Sequence, residues 1–146
     1  MIMKKIRILH LEDDAADAEL IRSKLEASDL PCQITRVQSR EEYERELQSG
    51  GYGIILADYR LPAYDGISAL RYKLTLQLDT PFIFVSGTIG EEAAIEGLVE
   101  GATDYILKQK LARLTSAINS SSSLPPRQRP TKFNTSKRKR VCREAQ

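Results

Sequence analysis

The sequence is poor in the residues that metal, redox and membrane chemistry rely on. It holds two cysteines, Cys32 and Cys142, and one histidine, His10. Thiols so far apart have no metal-type spacing and one imidazole makes no ligand set, so a zinc site is not expected. A reduced, cytoplasmic chain without disulfides is the expectation. No apolar run approaches the roughly 18 residues that a bilayer span needs, so no membrane insertion is expected. Residues 1–5 lead straight into a strand-like run, with neither a long apolar core nor a cleavage site, which predicts no secretion signal. No Gly-x-Gly-x-x-Gly or Walker-type loop follows that first run, which argues against nucleotide-binding folds. His10 lies within an apolar stretch and reads as structural.

What is present divides unevenly. The chain has 146 residues, 41% hydrophobic and 29% charged, which suits one soluble domain. Residues 1–123 carry 14 Lys+Arg and 19 Asp+Glu, a net of −5. Residues 124–146 carry 8 Lys+Arg and one acid, a net of +7. An acidic body with a basic appendage follows. The composition also changes after Asn119, through four serines, Pro125-Pro126 and Pro130 to Lys137-Arg138-Lys139-Arg140. The division predicted is a folded domain over 1–119 and a flexible, basic Ser/Pro-rich tail over 120–146.

Within the body, five short runs read as strands: 5–11, 32–37, 53–57, 81–85 and 104–107. Ile6-Arg7-Ile8-Leu9, Ile54-Ile55-Leu56 and Phe82-Ile83-Phe84-Val85 are mostly apolar rather than alternating, as in strands covered on both faces. Between them, Ala18, Ile21, Leu25 and Ile67, Leu70, Leu74 and Ala94, Leu98 recur at helical spacing. The mostly charged segment 41–48 reads as a shallowly packed helix, and a last helix is predicted over 110–118. Five βα units require right-handed crossovers. The fold class is therefore α/β, a doubly wound five-stranded parallel sheet, and the flavodoxin-like order 2-1-3-4-5 fits this length.

Ligands of such sheets bind beyond the carboxyl ends of the strands. Glu12-Asp13-Asp14 follows the first run, Asp58 the third, Ser86-Gly87-Thr88 the fourth and Lys108 the fifth. Crowded carboxylates repel one another unless a cation bridges them, and carboxylates, carbonyls and water are what a hard divalent ion prefers. Asp14 has a simpler use as a cap of the first helix, and Asp65 as a cap of the helix beginning near Ile67. Capping does not account for Asp58, an acid that directly ends a very apolar strand.

The loop Asp58-Tyr59-Arg60-Leu61-Pro62, followed by Asp65-Gly66, resembles the phosphoacceptor loop of response-regulator receiver domains of two-component signalling. Glu12-Asp13 matches that family's acidic pair, Ser86 its hydroxyl, Lys108 its strand-five lysine and Tyr105 its aromatic switch position. Residues 85–114 are especially similar to receivers associated with sensory modules and histidine kinases, and the resemblance spans 5–118. It implies a phosphoacceptor signalling switch, a relay component and not a turnover enzyme, that assists its own phosphorylation and dephosphorylation. Asp58 would be the nucleophile. Mg²⁺ (or Mn²⁺) would be held by Asp13, Asp58 and the backbone carbonyl of Arg60, with Glu12 acting mainly through a metal-bound water. Lys108 and Ser86 would contact phosphoryl oxygens, Gly87 would leave room for them, and Ser86 with Tyr105 would carry the switch. Thr88 and Arg60 would flank the phosphate. The implied partners are a histidine kinase or histidine phosphotransfer protein, with a homodimer through the face of the fourth and fifth helices as a further expectation.

Two departures accompany the match. Gln109 stands where the family usually has proline, so a trans bond is predicted after Lys108. Ser86 replaces the commoner threonine and keeps the hydroxyl. One competing reading is a nucleic-acid or acidic-surface binder acting through residues 127–143. That stretch has no DNA-reading module and only Phe133 for stacking, so nucleic acid is not the expected partner. The other is a Mg²⁺-dependent aspartyl phosphatase of the haloacid-dehalogenase type. Its Asp-x-Asp after the first strand is not matched by Glu12-Asp13-Asp14.

Overall fold

One parallel sheet organises the chain, with helices on both faces. The computed structural model describes residues 5–28, 30–59, 61, 64–87 and 91–122, with backbone alone for 91–95 and 122. The strands are β1 (Ile6–Leu11), β2 (Cys32–Val37), β3 (Ile54–Ala57), β4 (Phe82–Ser86) and β5 (Asp104–Leu107). The helices are α1 (Ala15–Ala27), α2 (Arg40–Ser49), α3 (Gly66–Thr75), α4 (Glu91–Glu100) and α5 (Ala112–Ser122), with a short 3₁₀ turn at Lys108–Lys110. The spatial order is β2-β1-β3-β4-β5, and every adjacent pair is parallel. The predicted architecture is thus the observed one, with strand ends displaced by a residue at most.

The continuous apolar runs have the expected cause. Every residue of β3 and of β4 is buried. On one face Leu9, Leu11, Ile55, Phe82 and Phe84 pack with Tyr43, Leu47 and Leu70, from α2 and α3. On the other, Ile8, Ile54, Leu56, Ile83, Val85 and Ile106 pack with Ile21, Leu25, Leu114 and Ile118, from α1 and α5. Alternate side chains along each strand therefore feed separate cores, and each core is removed from water by helices.

Three packing expectations need correction. The charged helix α2 is not shallow. Tyr43 is fully buried, its hydroxyl donates to the Ala69 carbonyl at 2.7 Å, and Leu47 four residues on is buried as well. Two apolar residues at i and i+4 suffice to seat a helix whose remaining face is solvated. Leu74 and Leu98, expected on core-facing stripes, are 41% and 44% exposed. Among the described side chains of α4 the buried position is Gly97, where a Cβ would stand 2.7 Å from a ring carbon of Phe84. A glycine lets the helix lie directly on the aromatic ring and turns Leu98 outward. Helix α5 also extends beyond the predicted end at 118, to Ser122. The rest of the predicted tail, residues 123–146, lies outside the described residues.

Candidate functional site

Parallel register brings the chemistry-bearing residues to one edge. Leu11 of β1 lies beside Ala57 of β3, Ala57 beside Phe84 of β4, and Ser86 beside Leu107 of β5. The residues immediately after these strands, Glu12, Asp58 and Lys108, consequently emerge together. Backbone bonds extend the sheet past the last paired residues: Asp58 N–H donates to Leu11 O at 3.1 Å, and Glu12 N–H to Val37 O at 3.0 Å.

Lys108 lies at the centre. Its Nζ donates to Glu12 Oε1 at 2.9 Å, to Asp17 Oδ2 at 2.7 Å and to Asp58 Oδ2 at 3.1 Å. All three ammonium hydrogens are thereby matched to carboxylates. The Glu12 side chain is wholly buried, and those of Lys108 and Asp58 are only 10% and 12% exposed. Burial is the largest influence on both partners of the Lys108–Glu12 pair. It drives the Glu12 carboxyl up, to about 7, against the opposing pull of Lys108. It also works against the charge on Lys108, but the hydrogen bonds that the lysine donates to Asp17 and Glu12 and the nearby charges of Glu12 and Asp58 outweigh it and hold that ammonium well above the usual lysine range. Lys108 is thus a fixed cation in a pocket of acids.

Oxygen atoms of Glu12, Asp13 and Asp58 lie within 4.8 Å of one another. Asp13 is exposed, while Glu12 is committed: Oε1 accepts from Lys108 and Oε2 from the backbone N–H of Asp14 at 3.2 Å. This donor set, three carboxylates with a solvent-facing member, suits a hard divalent cation that keeps part of its water shell. No sulfur or imidazole reaches it among those three groups, so a soft-metal centre does not fit.

Asp14 caps α1, accepting from the N–H groups of Ala16 at 2.9 Å and Asp17 at 3.0 Å. Asp65 caps α3 through the Ser68 N–H at 2.8 Å. Both carry out the capping read from sequence. Gly66, the first residue of α3, lies against the strand end: a Cβ there would be 2.6 Å from the Asp58 carbonyl oxygen and 2.7 Å from Phe84. Ser86 is buried at the end of β4, and Tyr105 is half-buried on β5 with its ring 6.2 Å from that of Phe84. At Gly87 an added Cβ meets no described atom within 4 Å. The Lys108–Gln109 peptide is trans, as predicted. The Arg60 carbonyl and Thr88 lie outside the described residues. His10, read as structural, is buried in β1 beneath the site. Burial first, then Lys108 and Arg36, lower its pKa to about 3, so it is neutral.

Two site residues were not singled out from the sequence. Asp17 is the acid closest to Lys108. Arg36, at the end of β2, donates through Nε to the Glu12 carbonyl at 3.0 Å and through Nη2 to the Asp13 carbonyl at 3.1 Å. An acid in the first turn of α1 looks like an ordinary helix-end charge, and an arginine late in a strand looks like a solvated one. Only the fold discloses their partners.

The comparisons with known proteins agree with this geometry. A family model described as the response regulator receiver domain matches residues 8–119. The cell cycle response regulator CtrA of Brucella ovis is 33% identical over 106 residues, covering 70% of this chain and 44% of that protein. The chain therefore spans less than half the length of this relative. Among solved structures, the receiver domain of the Francisella response regulator 1452 superposes with a TM-score of 0.70 at 28% identity, covering 79% of this chain and 94% of that one. The signal receiver domain of a signal transduction histidine kinase from Syntrophus aciditrophicus gives 0.65 at 28% identity, covering 77% and 86%. With its five parallel strands in the order 2-1-3-4-5 and an acidic cluster at their carboxyl edge, the chain belongs to the response regulator receiver domain family, the phosphoacceptor switches of two-component signalling.

Proposed function

We propose that Asp58 is the phosphoacceptor of this switch, assisted by Mg²⁺ or Mn²⁺ and fed by a histidine kinase or histidine phosphotransfer protein. The observation that carries the reading is the three-way placement of Asp58, within 4.8 Å of the Glu12 and Asp13 oxygens and 3.1 Å from the Lys108 ammonium. A carboxylate oxygen of Asp58 forms the new O–P bond while the P–N bond of a phosphohistidine breaks. The imidazole leaves with the bonding electron pair and takes up a proton. A small acyl phosphate serves as an alternative donor: its bridging O–P bond breaks instead, and the carboxylate leaves with the electron pair.

A divalent ion held here would supply positive charge that screens the incoming phosphoryl group and stabilises it in the transition state. Asp13 and Asp58 would hold it directly, with the Arg60 carbonyl as a third protein ligand. Glu12, its oxygens already taken by Lys108 and Asp14, would reach it through water. Lys108 places a compact charge on one phosphoryl oxygen, and Ser86 donates to another. Gly87, having no side chain, leaves room for the group. Drawing Ser86 and its loop toward the phosphoryl group lets Tyr105 turn inward. The surface of α4, β5 and α5 then changes, which suits a partner or a second copy of the chain. Phosphorylation biases a two-state element here, and full reversal needs on the order of 5 kcal/mol.

Treatment with acetyl phosphate and Mg²⁺, followed by intact-mass measurement, tests the assignment. The expected result is one phosphoryl group on the wild type and none on Asp58→Asn. Label on both proteins, or on neither, overturns it.

A further inference from the structure

We infer that Asp17 is a positioning residue that competes with the phosphoryl group for Lys108 and so restrains phosphorylation of Asp58. The inference rests on Asp58 being the acceptor and goes beyond that reading, since Asp17 belongs to none of the matched motif positions. Asp17 makes the shortest of the three contacts to Lys108, 2.7 Å against 2.9 and 3.1 Å. It comes from the first turn of α1, whereas Asp58 follows β3.

The argument is one of donor count and charge. A lysine ammonium has three hydrogens, and here each is matched to a carboxylate. Lys108 can bond a phosphoryl oxygen only by giving one of them up. Glu12 is fully buried and has no water to replace the lost partner, whereas Asp17 is 37% exposed and can be rehydrated. Asp17 is therefore the partner released. Until release it holds Lys108 toward α1, and its charge adds to the negative field that an anionic donor must enter. Asp17 acts through its bond to Lys108. Its placement is rigid. Its own backbone N–H is bonded to the cap residue Asp14, so the carboxylate leaves from the first, well-anchored turn of the helix.

The experiment compares wild type, Asp17→Asn and Asp17→Glu across a Mg²⁺ series with acetyl phosphate as donor. For Asp17→Asn the labelling rate at saturating Mg²⁺ rises about 3-fold, while the Mg²⁺ concentration for half-maximal rate also rises, because one anion near the cation site is gone. Asp17→Glu restores the wild-type pattern. A second readout needs neither metal nor donor. In EDTA, Lys108 of Asp17→Asn reacts faster than wild type with a small amine-acylating reagent, measured by peptide mass, because its ammonium has lost one partner. A labelling rate for Asp17→Asn at or below wild type with saturating Mg²⁺, or unchanged Lys108 reactivity, overturns the inference while leaving Asp58 as acceptor. A wild-type protein that takes no label on Asp58 overturns both.

Discussion

Arg36 and Glu12 are joined through the backbone: the guanidinium Nε donates to the Glu12 carbonyl at 3.0 Å, and the adjacent Nη2 takes the Asp13 carbonyl at 3.1 Å. One planar fork thus holds two consecutive peptide groups of the loop that carries the acidic pair. Lysine cannot reproduce this, because its donors radiate from a single atom.

Arg36→Ala is therefore expected to loosen Asp13 and weaken divalent-cation binding by about 10-fold, as the loss of an outer-shell partner typically does. Arg36→Lys falls closer to alanine than to wild type. Titration with Mn²⁺ followed by relaxation or calorimetry measures this without any phosphodonor. Unchanged affinity in both variants would show that the loop holds itself.

Gly66→Ala tests the close approach of α3 to the acceptor strand. A Cβ at 2.6 Å from the Asp58 carbonyl and 2.7 Å from Phe84 forces backbone to move. Overpacking of this kind costs about 1–3 kcal/mol. The denaturation midpoint should drop accordingly, and because the displaced atom is the Asp58 backbone, labelling should slow as well. Gly87→Ala, whose Cβ meets no described atom within 4 Å, should keep its stability and separate packing from phosphate access.

His10 predicts an acid-sensitive fold. Its pKa is lowered to about 3 by burial first and by Lys108 and Arg36 next, against about 6.5 in an unfolded chain. Between these values the unfolded state binds a proton that the folded state does not. Stability from this group is intact above pH 6.5 and is lost as pH falls toward 3. At pH 5 the loss is about 2 kcal/mol. Denaturation midpoints recorded between pH 7 and 5 should fall for the wild type and flatten for His10→Gln. Parallel slopes for the two proteins would contradict the prediction.

Lys108→Ala leaves Glu12 buried without its cation, facing Asp17 and Asp58. Removing one partner of a buried pair costs about 3–5 kcal/mol. The Glu12 carboxyl sits at about 7 with Lys108 holding it down; without that cation it rises further, so at pH 6 it is protonated and the penalty shrinks. Urea midpoints in EDTA should show a larger destabilisation at pH 8 than at pH 6. Adding Mg²⁺ at pH 8 should recover part of it. Equal losses at both pH values would mean that Glu12 is not the group left uncompensated.

The layered architecture, and the edge at which the chemistry lies, were legible in the chain before folding. Runs such as Ile54-Ile55-Leu56 and Phe82-Ile83-Phe84-Val85 announce doubly covered strands because burial on both faces demands continuous apolarity, a strictly local signal. Asp58 and Lys108 stood out because each interrupts such a run at its end. Tertiary structure alone decided who partners whom. Asp17 and Lys108 are 91 residues apart, Arg36 and Asp13 are 23 apart, and Tyr43 and Ala69 are 26 apart. Periodicity sees only neighbours within a few turns, so it gives no hint of these. Gly97 under Phe84 and Gly66 against Asp58 were hidden for a related reason: what a glycine makes room for belongs to another segment of the chain. Hydrophobic pattern is written along the polypeptide, but the choice among several acids for one buried ammonium is made by distance and desolvation, which exist only once the strands are side by side.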